Sequence, residues 1–168
     1  SSESTDSNIL GFVGGNDSDS TYFQVGGMVK HLASGLWVHG TYGINEVDVN
    51  LVVAQTLRDM LQAEGIVVDV LPATVPENYK ADMFVSLHAD SNDDSERRGY
   101  KSAVSRFERN KNDVLLKQII DQNYFYFSGF PDDDGNVTGS MLEYYAFNHR
   151  RFKHSLNPKT PAILVEMG

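Results

Sequence analysis

Two stretches of this chain are apolar at nearly every position, and each ends on one ionisable residue. Met83-Phe84-Val85-Ser86-Leu87 runs into His88, and Ala162-Ile163-Leu164-Val165 runs into Glu166. A strand with one face in water alternates apolar and polar side chains. A continuous apolar run marks burial on both faces, the condition of parallel sheets covered by helices. A third run, Leu36-Trp37-Val38, ends in the same way at His39, and Ile66 to Leu71 adds a β-branched run. Between the runs the rhythm changes. From Asn45 to Glu64 the apolar residues Val49, Val52, Val53, Leu57, Met60 and Leu61 fall on one helical face. Gly65 stands where a helix C-terminal glycine belongs, and Pro72 and Pro76 break the chain beyond it. Further helices are predicted over Asn112 to Phe127 and over Gly139 to Phe152, the latter with Thr138 as N-cap. Strands alternating with helices predict a single α/β domain with a central, mostly parallel, twisted sheet flanked by helices.

The N-terminal part is less regular. Ser1 to Asn8 is polar and reads as a linker or a trimmed end, which puts the domain at residues 9–168. Ile9 to Val13 and Tyr22 to Val25 read as two strands of a hairpin with a long loop, and Met28 to Leu32 as a short helix.

Charge and composition remove several functions. A chain of 168 residues suits one domain with a real core. A formal net charge of −9 and no basic stripe argue against a nucleic-acid partner, which needs clustered Lys and Arg. With no cysteine there are no disulfides, thiolate metal sites or cysteine nucleophile. No apolar run approaches the ~20 residues of a membrane span. Nothing suggests a large apolar face, so a monomer is expected.

The chemistry lies at the strand ends. Sites in open parallel sheets form beyond the carboxyl ends of the strands, so His39, His88 and Glu166 are expected at one edge of one sheet. Glu46 opens the helix after His39, where a carboxylate suits the helix N-terminus. Two imidazoles and a carboxylate form a familiar ligand set for catalytic zinc, with one position left for water. Zinc acidifies that water and polarises a carbonyl. Glu166 is then suited to take the water proton and deliver it to a leaving amine. Taken singly, each residue also has an ordinary reading: a hydrogen-bonded histidine, a first-turn carboxylate, a salt-bridge partner. The helix-borne His-Glu-x-x-His motif of many zinc proteases is absent.

Four blocks resemble a known family. His39-Gly40, Asn45-Glu46-Val47-Asp48-Val49-Asn50-Leu51, Phe84-Val85-Ser86-Leu87-His88-Ala89-Asp90 and Pro161-Ala162-Ile163-Leu164-Val165-Glu166-Met167-Gly168 look like the zinc-dependent N-acetylmuramoyl-L-alanine amidases often called amidase 3. The resemblance covers Leu36 to Gly168. It implies zinc held by His39, Glu46 and His88, and a catalytic Glu166. It also implies an α/β fold and peptidoglycan as substrate, cut at the amide between N-acetylmuramic acid and L-alanine. The implied setting is extracytoplasmic: secreted, periplasmic or associated with the cell wall. The family usually carries Asp-Pro-Gly-His-Gly-Gly at the first ligand, where this chain has Trp37-Val38-His39-Gly40-Thr41, and its spacing to the glutamate is longer. Its first strand lies near the start of the domain, so Ile9 to Ser34 is expected to be extra or rearranged. The family continues past the last glycine, so the chain reads as truncated at Gly168.

Ser91 to Arg98 has no helix or strand pattern and borders the cleft in the family. Arg150 and Arg151 follow Tyr144-Tyr145; Arg151 is a candidate for binding a stem-peptide carboxylate by a bidentate pair. Two alternatives stand beside the amidase. One is a zinc carboxypeptidase acting on stem peptides, which the basic run His149-Arg150-Arg151 keeps open. The other is a non-catalytic cell-wall binding or regulatory domain, against which all four filled positions count.

Overall fold

The apolar runs before His88 and Glu166 lie where two-sided burial requires, as inner strands of a five-stranded sheet, whereas the run that ends at Leu71 forms an edge strand. The computed structural model describes residues 9–14, 22–25, 28–31, 46–89, 98–107 and 109–168. Its strands are β1 (Ile9–Gly14), β2 (Tyr22–Val25), β3 (Met28–His31), β4 (Val67–Leu71), β5 (Met83–His88), β6 (Lys101–Ala103) and β7 (Ala162–Glu166). Its α-helices are α1 (Glu46–Ala63), α2 (Asp113–Ser128) and the single turn α3 (Gly139–Leu142). The main sheet has the order β4-β1-β5-β7-β6. All neighbours are parallel except β6, which runs antiparallel to β7. This is the single α/β domain with a mostly parallel sheet that the apolar runs predict.

The two faces of the sheet have different covers. Side chains on one face of a strand recur every second residue. Phe84, Ala162, Leu164 and Ala103 pack with Val75, Met141, Ala146, Phe147 and Leu156. Val85, Leu87, Ile163 and Val165 pack with Ala54 of α1 and with Tyr100, and Leu57, Leu116, Ile120 and Tyr124 close around them. So α1 and α2 cover one face, and the segment from α3 to Leu156 covers the other.

Three expectations from the sequence are corrected. Ile9 to Val13 is not half of a hairpin with Tyr22 to Val25. It forms β1, bonded on both edges, to β4 and to β5. The hairpin reading joined neighbours in sequence, but parallel partners are necessarily remote. Ile9 to Gly14 is therefore an inner strand of the sheet. Met28 to Leu32 is not a helix: Met28–His31 is β3, antiparallel to β2. The five residues from Met28 to Leu32 are too few to form a stable helix alone, and Gly26-Gly27 is a hairpin-connection signal in the sequence. The third predicted helix stops at Leu142, although Thr138 does cap it by accepting from the Met141 N–H at 3.4 Å. Beyond it the aromatic residues act as separate anchors. The Tyr145 hydroxyl accepts from the Val75 N–H at 3.1 Å and donates to the Ala73 carbonyl, while Phe147 is buried in the core. Tertiary contacts of this kind override helix propensity.

The other helices end as their sequences dictate. Gly65 takes a positive φ of 82° and its N–H donates to the Gln62 carbonyl. Gly129 caps α2 at φ 69°. The outer face of α2 exposes Val114, Leu115, Ile119, Tyr126 and Phe127. Among the described residues, no helix is long and apolar enough to cross a membrane.

A polar network fixes the short strand β6 beneath α2. The Lys117 ammonium donates to Ser102 Oγ (2.7 Å), Asp121 Oδ2 (2.6 Å) and Asp134 Oδ2 (2.7 Å). The Tyr100 hydroxyl donates to Asp121 Oδ1 at 2.8 Å, and burial together with that carboxylate pushes its pKa far up. Burial alone would lower the pKa of Lys117; the two carboxylates outweigh it and the net shift is upward. A raised ammonium pKa means that the contribution of Lys117 to stability is fully present at neutral pH and is lost as pH rises through that pKa.

Gly99 leads into this strand under tight contact. A Cβ there would lie 2.7 Å from Asp133 Cβ and 3.5 Å from the Pro131 carbonyl oxygen. Tyr100 N–H donates to that same carbonyl at 3.0 Å. Gly99→Ala is expected to cost about 1–3 kcal/mol, as overpacking typically does, and to lower Tm by several degrees. A melting curve that overlays the wild type would mean the turn at residues 131–133 yields freely.

Candidate functional site

The carboxyl ends of β5 and β7 lie side by side, so their last residues, His88 and Glu166, are register partners. Side chains of paired residues leave the sheet on the same side. Both are buried, with exposures of 1% for His88 and 2% for Glu166. The strand ends are stapled just past this point: the Met167 N–H donates to the His88 carbonyl at 2.9 Å. The Met167 carbonyl in turn accepts from the Tyr124 hydroxyl at 2.6 Å, and Tyr124 stacks on Tyr100 at 4.1 Å. Glu166 is thus held by a strand whose last residues are tied to β5 on one side and to α2 on the other.

Glu46 arrives from a different element. It is the first residue of α1, whose N-terminus meets the end of β5. Its Oε1 accepts from the Ala89 N–H at 3.3 Å and from Asn50 Nδ2, one turn on, at 3.3 Å. The same oxygen lies 3.6 Å from His88 Nδ1. Glu46 and His88, 42 positions apart in sequence, are therefore neighbours in space.

This pair suits a shared metal ion. Two tetrahedral ligand atoms at about 2.0–2.1 Å from one zinc lie roughly 3.3–3.4 Å from each other. The 3.6 Å between Nδ1 and Oε1 is close to that separation. An imidazole nitrogen and a carboxylate oxygen are donors that zinc prefers. Among the described residues, no group of three or more His, Cys, Asp or Glu forms a metal-holding cluster. The third ligand expected from the sequence, His39, lies outside the described residues, as does the apolar run Leu36 to Val38 that precedes it. Most of the loop Ser91 to Arg98 lies outside them as well.

Arg151 is placed on the surface. It is exposed, and its guanidinium carbon sits 5.2 Å above the Phe152 ring. Two further residues touch His88, and the sequence reading missed them. Ser86 Oγ lies 3.1 Å from His88 Nε2. The Tyr144 ring meets the imidazole edge to face, at 5.6 Å between centroids and 89° between planes. The alternation Ser-x-His on a strand signals the first contact; nothing near Tyr144 in the sequence signals the second.

Comparison with known proteins is consistent with this geometry. The family model described as N-acetylmuramoyl-L-alanine amidase matches residues 14–168. No curated protein matches the chain significantly. Among solved structures, the catalytic domain of CwlV, an N-acetylmuramoyl-L-alanine amidase from Bacillus (Paenibacillus) polymyxa var. colistinus, superposes with a TM-score of 0.58 at 18% identity, over 96% of this chain and 80% of that one. The apo form of the amidase Ami1 from Mycobacterium abscessus gives 0.57 at 18% identity, over 95% and 82%. The N-acetylmuramoyl-L-alanine amidase from Clostridium difficile 630 gives 0.57 at 18%, over 96% and 80%. At such identities the structural likeness speaks for the fold.

Proposed function

Since the chain belongs to the N-acetylmuramoyl-L-alanine amidase family and so hydrolyses the amide between N-acetylmuramic acid and L-alanine in peptidoglycan, we propose that it works as a zinc enzyme. In this reading His39, Glu46 and His88 hold the ion and Glu166 transfers the proton. The observation that carries it is the approach of Glu46 Oε1 to His88 Nδ1 at 3.6 Å, with Glu166 in register beside His88. Zinc bound there would polarise the scissile carbonyl and supply an acidified water near neutral pH.

The remaining work falls to the chain itself. Glu46 is oriented before any metal arrives, because the Ala89 N–H and the Asn50 amide both hold its Oε1. Such outer contacts fix a ligand's direction and its basicity. Glu166 is suited to accept the proton of the attacking water and return it to the amine of L-alanine as the C–N bond breaks. Its strand is anchored by the Met167 and Tyr124 bonds, so little reorientation is needed between the two transfers. The substrate lies in the cell wall, so we read the chain as acting outside the cytoplasm; the monomer expected from the sequence loses its premise, because the outer face of α2 is apolar and exposed.

The direct test is mass spectrometry of products after zinc-loaded protein meets purified peptidoglycan. Expected are free stem peptides that begin with L-alanine, and glycan strands without peptide. Shortened stem peptides still joined to glycan would instead assign a carboxypeptidase. If Arg151 also binds a stem-peptide carboxylate, Arg151→Ala raises KM several-fold and leaves kcat unchanged. An unaltered KM assigns the guanidinium to packing on Phe152 alone.

A further inference from the structure

The second ring nitrogen of His88 has its own partner. Nε2 lies 3.1 Å from the hydroxyl of Ser86, which is fully buried two residues back on the same face of β5. That hydroxyl donates onward to the Tyr144 hydroxyl at 3.3 Å. A serine hydroxyl has one proton to give. With that proton directed at Tyr144, the Ser86 oxygen can only accept from the imidazole. The proton of the neutral ring then resides on Nε2, and Nδ1 carries the lone pair. Nδ1 is also the nitrogen that faces Glu46 Oε1 at 3.6 Å. A lone pair opposed to a carboxylate oxygen at that distance is repulsive, and a cation between them converts the repulsion into attraction.

We propose that Ser86 and Tyr144 form a hydrogen-bonded relay that holds His88 with its proton on Nε2, which makes Nδ1 the metal-binding nitrogen. The proposal rests on the zinc reading above and deepens it. Both residues are positioning residues, since they act through His88. The relay is built into the packing. Tyr144 is braced edge-on by His88, by Tyr145 at 4.8 Å and by Phe147 at 5.4 Å, so its hydroxyl has little freedom to turn away from Ser86. The segment that covers this face of the sheet therefore takes part in setting the proton on a residue at the strand end. Partners of this type commonly tune metal affinity by about 10–100-fold.

The test uses two readouts that do not need turnover. The first is nitrogen NMR of metal-stripped protein labelled at histidine, at a pH where the ring is neutral, which reports the tautomer of His88. The second is zinc affinity, measured by competition with a chromophoric chelator. Wild type is expected to show the Nε2–H form. Ser86→Ala is expected to mix the two tautomers and to weaken zinc binding by about 10–100-fold. Tyr144→Phe, which keeps the ring and removes only the hydroxyl, is expected to weaken it less, by a few-fold, and serves as the second variant if Ser86→Ala folds poorly. Wild type with the proton on Nδ1 overturns the proposal, and so do variants whose tautomer and zinc affinity equal the wild type. A wild-type chain that binds no zinc would sink the metal reading instead, and the tautomer of the metal-free protein would still decide whether the relay exists.

Discussion

Glu166→Gln is expected to abolish most turnover while the protein still takes up one zinc ion. The glutamine keeps the shape of the side chain and its place at the end of β7, but it cannot accept a proton. A positioned acid–base group typically contributes 10²–10⁴-fold, so kcat is expected to fall by that factor, about 3–5 kcal/mol in barrier. The conservative change matters because Glu166 is only 2% exposed, and a truncation there leaves a hole beside His88. Zinc content by elemental analysis and product formation from peptidoglycan are read on the same sample. Loss of zinc from the variant would make Glu166 a ligand. Retention of both zinc and full activity would pass proton transfer to another group.

His88→Ala is expected to behave differently and to lose both zinc and activity. In the proposed zinc site the substitution removes one of the ligands and leaves Glu46, whose Oε1 stood 3.6 Å from His88 Nδ1, to face the ion without it. The residual rate of this variant is expected to match that of wild type stripped by a chelator, because both lack the same ion. Adding zinc back restores the stripped wild type and leaves the variant inactive. A variant that works without metal would contradict the site as a whole. Thermal stability offers a control: zinc in excess stabilises only a protein that binds it in the folded state, so added zinc raises Tm for wild type and Glu166→Gln but not for His88→Ala.

What the sequence disclosed follows from the range of each signal. The apolar runs before His88 and Glu166 foretell β5 and β7, because burial on both faces leaves few polar positions, here Ser86 and the two terminal residues. The apolar stripe and Gly65 foretold α1. Glu46 and His88 were nominated together from their positions at a helix start and a strand end, and the fold brings them into contact. The failures are those of partnership. Ile9 to Gly14 is recognisable as a strand, but only long-range pairing says that it sits between β4 and β5. Three-residue β6 is too short for periodicity, and its position depends on Lys117, Asp121 and Asp134, which are scattered in sequence. Tyr144 was read as part of a helix, and its contact with His88 depends on the helix stopping at Leu142.

The position of β1 has a consequence for how the chain is made. β1 is synthesised before both of its partners, the strands that begin at Val67 and Met83. Until those partners are made, neither of its edges has its strand neighbour. Such an edge invites pairing with other chains, and sheets closed by remote parallel partners fold slowly. Once it is seated, β1 is the keystone between β4 and the strand that carries His88. A nick or deletion before Gly14 would therefore do more than fray an end: it would part the sheet into two pieces, and β4 would lose its link to the half that bears the site.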